Sequence, residues 1–511
     1  MTTPSIVILI LLSYGTAMLL ISRRASRRIR SFQDTIAAPG QTSLFLLAGS
    51  AIGGQIGSGF VIGGAEYGAR YGIAGAWYGI GCGLSYFITA ALCRFIRTHH
   101  YVSPADYFAR RYSGHATRMI YTAASISCSV SLLAGQLLAG RAIFLTLGLP
   151  AQWGVVLTAV IALVYSNAAG LWGSMAVSSI QSVIIFIGMS TALFLMMSAP
   201  GPGVLAAALP ASSFHLAPFG AEFLVSMTAP IVLASSVNQI SFQSAASAKS
   251  LKSARGGYLL AGLTLIPVAF IPPLLGMYGR ALFPGIPAEN VFSSLLLTRL
   301  PTAVAAVILA AVICAVVSSC NSAYIAVAAN FVHDIYLGMV NPGADSRTCR
   351  RLMLLADMAV CCIGILLALK MNDIIRVLSM GYSLMASGCL VPFLGGVIWK
   401  KGTSRGALYS AFAGMAVSLA ASLELIRLPY ASISSILISA AVYAAVSLLA
   451  PEKKRLIRSG HAVAECKDCG KSRVLLFHLF QNIGYIAFRY RYFPNQLRKN
   501  GQPCLLMCPD M

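Results

Sequence analysis

Runs of about 20 apolar residues recur along this chain with short polar breaks between them, and about 20 is the length a helix needs to cross the hydrocarbon core of a bilayer. Thirteen can be counted, near residues 4–22, 43–65, 73–95, 117–146, 151–168, 174–198, 222–246, 257–279, 301–330, 352–370, 377–398, 406–423 and 430–449. Inside lipid every backbone amide must find its partner within the protein, so runs of this length admit helices and little else. Composition agrees. Of 511 residues, 58% are hydrophobic and 10% charged, and a mean hydropathy of +0.78 leaves too little polar surface to cover a water-soluble globule. The first run is followed by SRRASRRIR and lacks the small-residue cleavage site of a secretory leader, so it is expected to be retained. The expected fold class is an all-α membrane protein of about 13 transmembrane helices, a single membrane domain over residues 1–450 followed by a basic tail, 451–511.

A net charge of +23 invites a nucleic-acid reading until the basic residues are placed. With the N-terminus outside, the odd-numbered connections and the tail carry thirty of the 37 Lys and Arg. The other seven are Arg70, Arg141, Arg280, Arg299, Lys370, Arg376 and Arg427. That split follows the positive-inside rule, so the charge reports topology rather than DNA binding, with the C-terminus cytoplasmic and the chain multi-pass in the cell membrane. Of thirteen cysteines, Cys82, Cys93, Cys128, Cys314, Cys320, Cys361, Cys362 and Cys389 fall in predicted spans, where they pack as small apolar residues rather than forming a disulfide scaffold.

Three spans break the apolar rule, and polar atoms in lipid are tolerated where they line a cavity or meet another helix. In residues 47–72, Gly49, Gly53 and Gly57 stand four apart with Gln55 among them. Small residues at that spacing let helices approach closely, while many glycines around one amide also mark a helix that can unwind and free carbonyl oxygens for a cation. In residues 310–336, Ala315, Ser318 and Ser319 lie at i, i+3 and i+4, so one face presents a carbonyl and two hydroxyls, oxygen ligands of the kind hard cations prefer. The same serines could bond back to their own helix or to a neighbour. In residues 227–257, Asn238, Gln239 and Gln243 offer amide donors and acceptors to a solute or to a packed helix.

Together these segments resemble the sodium:solute symporter family over roughly residues 1–450. The most specific element is AVVSSCNSAYIAVAANFVHDIY (315–336), supported by SPADYFARRY (103–112), AGLWGSMAVSSIQ (169–181), NQISFQSAASAK (238–249) and VPFLGGVIWKKGTSRGA (391–407). The resemblance implies a leucine-transporter-like core of 5+5 helices in two inverted repeats, spans 2–6 and 7–11, within about residues 43–398, the first helix of each repeat being broken at the substrate. It places a co-transported sodium ion at the carbonyls of Gly54, Gly57 and Ala315 and the hydroxyls of Ser318 and Ser319. Asn238 falls where sugar carriers of the family hold their solute, and Gln55 and Gln136 are further candidates for the same cavity. Where the family carries an Asp associated with a second sodium, this chain has Ser178, with Gln181 retained, which points to one sodium per cycle. Gln243-Ser244 stands where the family has Gln-Arg.

The implied function is secondary active transport, sodium entry driving uptake of a small organic solute by alternating access. The alternatives are a transporter-like receptor or sensor without net transport, and a proton-coupled or sodium-independent carrier. An enzyme is not expected, since residues 142–221 contain no Asp, Glu, Lys or Arg and residues 300–332 contain none either. In the tail, Cys466, Cys469, Cys504 and Cys508 form CxxC and CxxxC pairs that could bind zinc or remain free thiols. The segment 474–493 between them could lie along the membrane surface or pack as a tail helix. The solute and the oligomeric state stay open at this stage.

Overall fold

In a computed structural model, the structure describes residues 42–112 and 114–451 and scattered positions before residue 42. The chain divides into two units, Met1–Gly460 and His461–Met511, and only the first is described here. The predicted first span and the four tail cysteines lie outside the described residues, apart from isolated positions of that span.

The described chain is helical almost throughout. In order come α1 (Leu44–Gln55), α2 (Gly64–Tyr71), α3 (Ala76–Thr98), α4 (Pro104–Tyr112), α5 (His115–Thr146), α6 (Ala151–Ser198), α7 (Gly220–Ala234), α8 (Gln239–Ser247), α9 (Leu251–Val268), α10 (Ile271–Leu282), α11 (Thr302–Ala328), α12 (Ser346–Lys370), α13 (Ile374–Met385), α14 (Val391–Ile398), α15 (Ser404–Ser422) and α16 (Ala431–Leu449), with short helical turns between some of them. Among the described residues nine helical stretches are long and apolar enough to cross a membrane, and Leu44–Gln55 and Ala151–Ser166 are shorter apolar helices. The expected count of thirteen is therefore not reached by this criterion. The two spans expected to be separate, 151–168 and 174–198, are found as two helical segments of α6, Ala151–Ser166 and Gly170–Ser198, which meet at a kink at Gly170, whose φ of 56° is one that glycine tolerates. Beyond α11 the helix continues in π geometry over Ala329–Val340, which lengthens the ninth span.

Lipid-facing and interior surfaces separate along the helices. On α6, Leu157, Ile161 and Val164 recur at helical spacing and are exposed, as are Ile363 and Leu366 on α12 and Leu437 on α16. Exposed apolar stripes of this kind suit a hydrocarbon solvent. α11, by contrast, is buried on nearly every side, packed between α5, α6 and α12. α3 and α9 come close enough for Gly83 and Gly262 to meet backbone to backbone, the small-residue packing expected of membrane helices.

Candidate functional site

Two helices are interrupted, and the sequence explains both breaks. α1 ends at Gln55, where Ile56 leaves helical geometry (φ −74°, ψ 62°), and the chain resumes as a π turn, Gly59–Gly63, leading into α2. In an unbroken helix the carbonyls of Gly53 and Gly54 would accept from the amides of Gly57 and Ser58. Instead Gly57 N–H donates to Gln55 O (2.8 Å) and Ser58 N–H donates to Gln136 Oε1 (3.0 Å). The break thereby releases two carbonyls. That of Gly57 still accepts from Val61 N–H (3.1 Å).

The second break lies between α7 and α8. After Ser235–Val237 the backbone extends at Asn238 (φ −75°, ψ 127°), whose side chain caps α8 by accepting from Ser241 N–H (3.1 Å). The freed carbonyl of Val237 accepts from the Tyr121 hydroxyl (3.0 Å). One helix, α5, thus compensates both interruptions, with Tyr121 and Gln136. Tyr86 donates to Ala51 O in α1 (2.6 Å) and Tyr258 to Ser241 O in α8 (3.1 Å), so each broken helix also leans on a tyrosine of a neighbour.

Between the breaks is a cavity of about 80 Å³, room for several waters or a small solute. Gly54 and Gln55 reach it from the first break, Asn238 and Ser241 from the second, and Ser319 and Ser322 from α11. Tyr86, Tyr258 and Tyr382 supply aromatic wall, and no Asp, Glu, Lys, Arg or His lines it. The two glutamines of α8, Gln239 and Gln243, are buried elsewhere in the packing, outside this lining.

The other residues singled out in the sequence gather beside this cavity. A Cβ built on Gly57 would stand 2.9 Å from both Ser319 Oγ and Gln136 Oε1, so α1, α5 and α11 meet at that glycine. Ser319 Oγ is buried without a hydrogen-bond partner among the described residues, and Ala315 is buried one turn earlier on the same helix. Ser318 Oγ lies 2.6 Å from Ser178 Oγ on α6. Both readings of the glycine spacing apply, to different residues: Gly49 and Gly53 pack against Ser179 and Ser178 of α6, whereas Gly57 marks the break. Gln136 sits at the break rather than in the cavity wall, its amide oxygen being taken up by Ser58. Ser241, Ser322 and the three tyrosines were not singled out in the sequence. Ser322, four residues after Ser318, carried the helical-period signal that could have found it.

Polar networks close both ends of this region. At one end Thr42 N–H donates to Ser247 O (3.0 Å), Lys249 N–H donates to Thr42 O (2.9 Å), and Arg97 donates to the carbonyls of Ala245, Ala246 and Ala248 at 2.6–3.4 Å. Near that end Arg118 meets Asp106 (3.3 Å), and Ser103 and His333 bond to Asp334 (2.7 and 2.9 Å). Asp106, His333 and Asp334 offer ligand atoms within 4.8 Å of one another, but the Arg118 guanidinium already supplies positive charge there. At the other end Arg70 lies 2.7 Å from Glu66, 3.5 Å from Asp373 and 3.9 Å from Glu289, and Tyr67 donates to Asp373. That network ties α2 to the start of α13.

Comparison with known proteins agrees with this architecture. The sodium:solute symporter family model matches residues 36–414. Similar sequences include the urea-proton symporter DUR3 of Oryza sativa subsp. japonica (27% identical, covering 39% of this chain and 31% of that protein) and the sodium/myo-inositol cotransporter 2 of Rattus norvegicus (24%, covering 76% and 66%). A third is the sodium/glucose cotransporter of Vibrio parahaemolyticus (25%, covering 58% and 61%). The chain spans from about a third to two thirds of the length of these relatives. Among solved structures, a substrate-bound, outward-open Na+-coupled sialic acid symporter superposes with a TM-score of 0.73 at 16% identity, covering 88% of this chain and 99% of that one. MHP1, a nucleobase-cation-symport-1 family transporter, superposes at 0.52 and 13%, covering 86% and 99%. The fold is that of leucine-transporter-like carriers, with two interrupted helices opening the two repeats. On the family match across residues 36–414, with this fold, the chain belongs to the sodium:solute symporter family.

Proposed function

We propose that this protein couples the entry of one sodium ion to uptake of a small, uncharged polar solute through the cell membrane. The observation that carries the solute class is the cavity wall between the two breaks: amides, hydroxyls and aromatic rings, with no ionised side chain. Hydroxyl, urea-like or amide groups can be met there by Gln55, Asn238 and the serines. An ionic solute would lose its hydration without a countercharge. The relatives named for urea, myo-inositol and glucose fit that chemistry.

The sodium ion is assigned to the junction of α1 and α11. The carbonyl end of the half-helix α1 carries partial negative charge, and Gly54 and Gly57 supply oxygens there. Ala315 O, Ser318 Oγ and Ser319 Oγ complete a neutral oxygen set. Ser318 can donate its proton to Ser178 and still present lone pairs to the ion. Ser178 in place of a carboxylate supports a single ion per cycle.

Alternating access follows from the two closures. With the N-terminus outside and the tail in the cytoplasm, as the charge distribution indicates, Thr42, Ser247 and Arg97 close the cytoplasmic end and Arg70 with its carboxylates closes the outer one. Sodium holds α1 against α11, which shapes one wall of the cavity, so ion and solute raise each other's affinity. A potential of 100 mV then contributes about 2.3 kcal/mol per ion.

The test is uptake of labelled urea, myo-inositol and glucose into proteoliposomes, with an inward sodium gradient or with choline in its place. Sodium-dependent accumulation of at least one of them is expected, reduced by Ser318→Ala or Ser319→Ala and abolished in the double variant. Uptake that ignores sodium, or full dependence surviving the double substitution, would overturn the ion site. Accumulation confined to amino acids or carboxylates would overturn the solute class.

A further inference from the structure

Asp357 has no role in the site just described. It is the twelfth of the 25 residues of α12, about 17 Å along the helix from its start, and 1% exposed. Neither carboxylate oxygen has a hydrogen-bond partner among the described residues, and none of the ion pairs there involves it. A carboxylate in that setting would be an isolated buried anion, whereas the carboxylic acid is neutral.

Among the described residues, the surroundings supply no cation. α12 packs against α5, α6 and α11. α6 contains no Asp, Glu, Lys, Arg or His, and neither does α11. The cationic or titratable nitrogens of α5 are His115, Arg118 and Arg141, near its ends; Arg118 is taken up by Asp106, and Arg141 by Met371 O and Asn372. Beyond α11, His333 and Asp334 are paired with each other. The titratable groups close enough to sense a charge on Asp357, were it ionised, are Tyr324, from α11, and Cys361, one turn along its own helix.

Tyr324 connects Asp357 to the transport site. Ser322 and Tyr324 are two residues apart on α11, about 200° around its axis, so the helix turns Ser322 to the cavity and Tyr324 to α12. The helix that carries Ser318 and Ser319 on one face therefore turns Tyr324 on the opposite one toward α12, the helix of Cys361 and Asp357. In this one conformation Ser319 meets Gly57 and Asp357 is buried without a countercharge.

We propose that Asp357 is a proton-binding site coupled across α11 to the cation site, and that the carrier's working cycle includes protonation of this carboxyl. The acid form belongs to the conformation that gathers Gly57, Ser318 and Ser319. A conformation that wets the α11–α12 seam lets the proton leave to water as hydronium. Because proton and sodium favour the same conformation, each raises the affinity for the other. This coupling rests on the sodium-site assignment above, although protonation of Asp357 itself does not.

Two measurements on the full-length purified protein test it. Binding of radioactive sodium is followed from about pH 6 to about pH 9, the range in which buried carboxyls titrate. In the wild type, sodium affinity falls as pH rises through the Asp357 titration, by up to about tenfold per pH unit. In Asp357→Asn, which is permanently neutral, it stays high and flat, and in Asp357→Glu the pH dependence returns with a shifted midpoint. The second readout, independent of sodium, is the infrared band of a protonated carboxyl, present in the wild type and lost in Asp357→Asn. A flat wild-type profile, or the same slope in wild type and Asp357→Asn, overturns the coupling. No difference in the carboxyl band overturns protonation of Asp357. Absence of sodium binding at every pH refutes the sodium site, and the infrared band then decides the protonation separately.

Discussion

Gln136 offers a sharp test of how the first break is built. Its Oε1 accepts from Ser58 N–H at 3.0 Å, and Ser58 is fully buried. Replacing it by leucine keeps the size and removes the acceptor, leaving a buried amide donor unpaired, at a cost of about 1–3 kcal/mol. The penalty falls on the arrangement that releases the Gly54 carbonyl and sets Gly57 against Ser319. If the unpaired amide is relieved only when the break rearranges, the penalty appears as a loss of sodium affinity of about 5–150-fold. Gln136→Glu keeps an acceptor at the same place and should keep the break intact. Sodium binding measured on the purified protein, alongside solute KM in proteoliposomes, separates this role from that of a solute ligand. An unchanged sodium affinity together with a raised KM in Gln136→Leu would refute the argument and return Gln136 to the cavity wall.

Other substitutions probe the remaining contacts. Gly53→Ala drives a methyl into the backbone carbonyl of Ser178, which cannot turn aside, and should cost about 1–3 kcal/mol in thermal unfolding; Gly54→Ala, with nothing within 4 Å of its added Cβ, should leave the melting curve in place. Arg97→Gln loses the charge and the Nη1 donor that meets the carbonyls of Ala245, Ala246 and Ala248, so hydrogen exchange at Thr42 and Lys249, whose amides form the adjoining bridge, should accelerate. Asp345 caps α12 and is held below the usual carboxylate range by its bond from the Thr348 hydroxyl. A depressed carboxyl stabilises the fold above its unfolded value and loses that contribution as pH falls through its folded one. The protection of Arg347 N–H, the slowing of its exchange relative to the intrinsic rate at the same pH, should therefore fall in acid in the wild type. In Asp345→Ala it should be low at neutral pH as well.

Much of this was legible in the sequence, for physical reasons that also mark the limit. Lipid forces long apolar helices, so most spans can be read from their length, and polar residues stranded in them point inward. That is why Gln55, Asn238, Ser318 and Ser319 stand out before any coordinates. Local pattern separated the two halves of α6 at the kink near Gly170 but could not show that Ala329–Val340 extends α11, because apolar length is blind to π geometry. Nor could it rank the amides. Gln136 and Asn238 are chemically alike, yet one is consumed by the Ser58 amide while the other caps α8 at the edge of the cavity. Asp357 escaped notice because a single acid in an apolar run reads as a tolerated exception until both of its oxygens are found without partners.

The division of labour between two helices explains how such a site can be both polar and stable in lipid. An interruption in a membrane helix exposes amides and carbonyls that water cannot reach, and the fold persists when fixed side chains take them up. α5 supplies those partners to both breaks, Gln136 for the first and Tyr121 for the second, so a rigid continuous helix carries the cost of two broken ones. The first break also takes the carbonyls of Gly53 and Gly54 from their helical partners, near the hydroxyl of Ser319, which is unpartnered among the described residues. All three are oxygens, and all are neutral. Neutral oxygens attract a cation without holding it irreversibly, since no buried carboxylate has to be abandoned when the ion leaves. A carboxylate among them would bind more tightly and release more slowly, so placing Asp357 on α12, beyond the far side of α11, suits a carrier that must let its ion go.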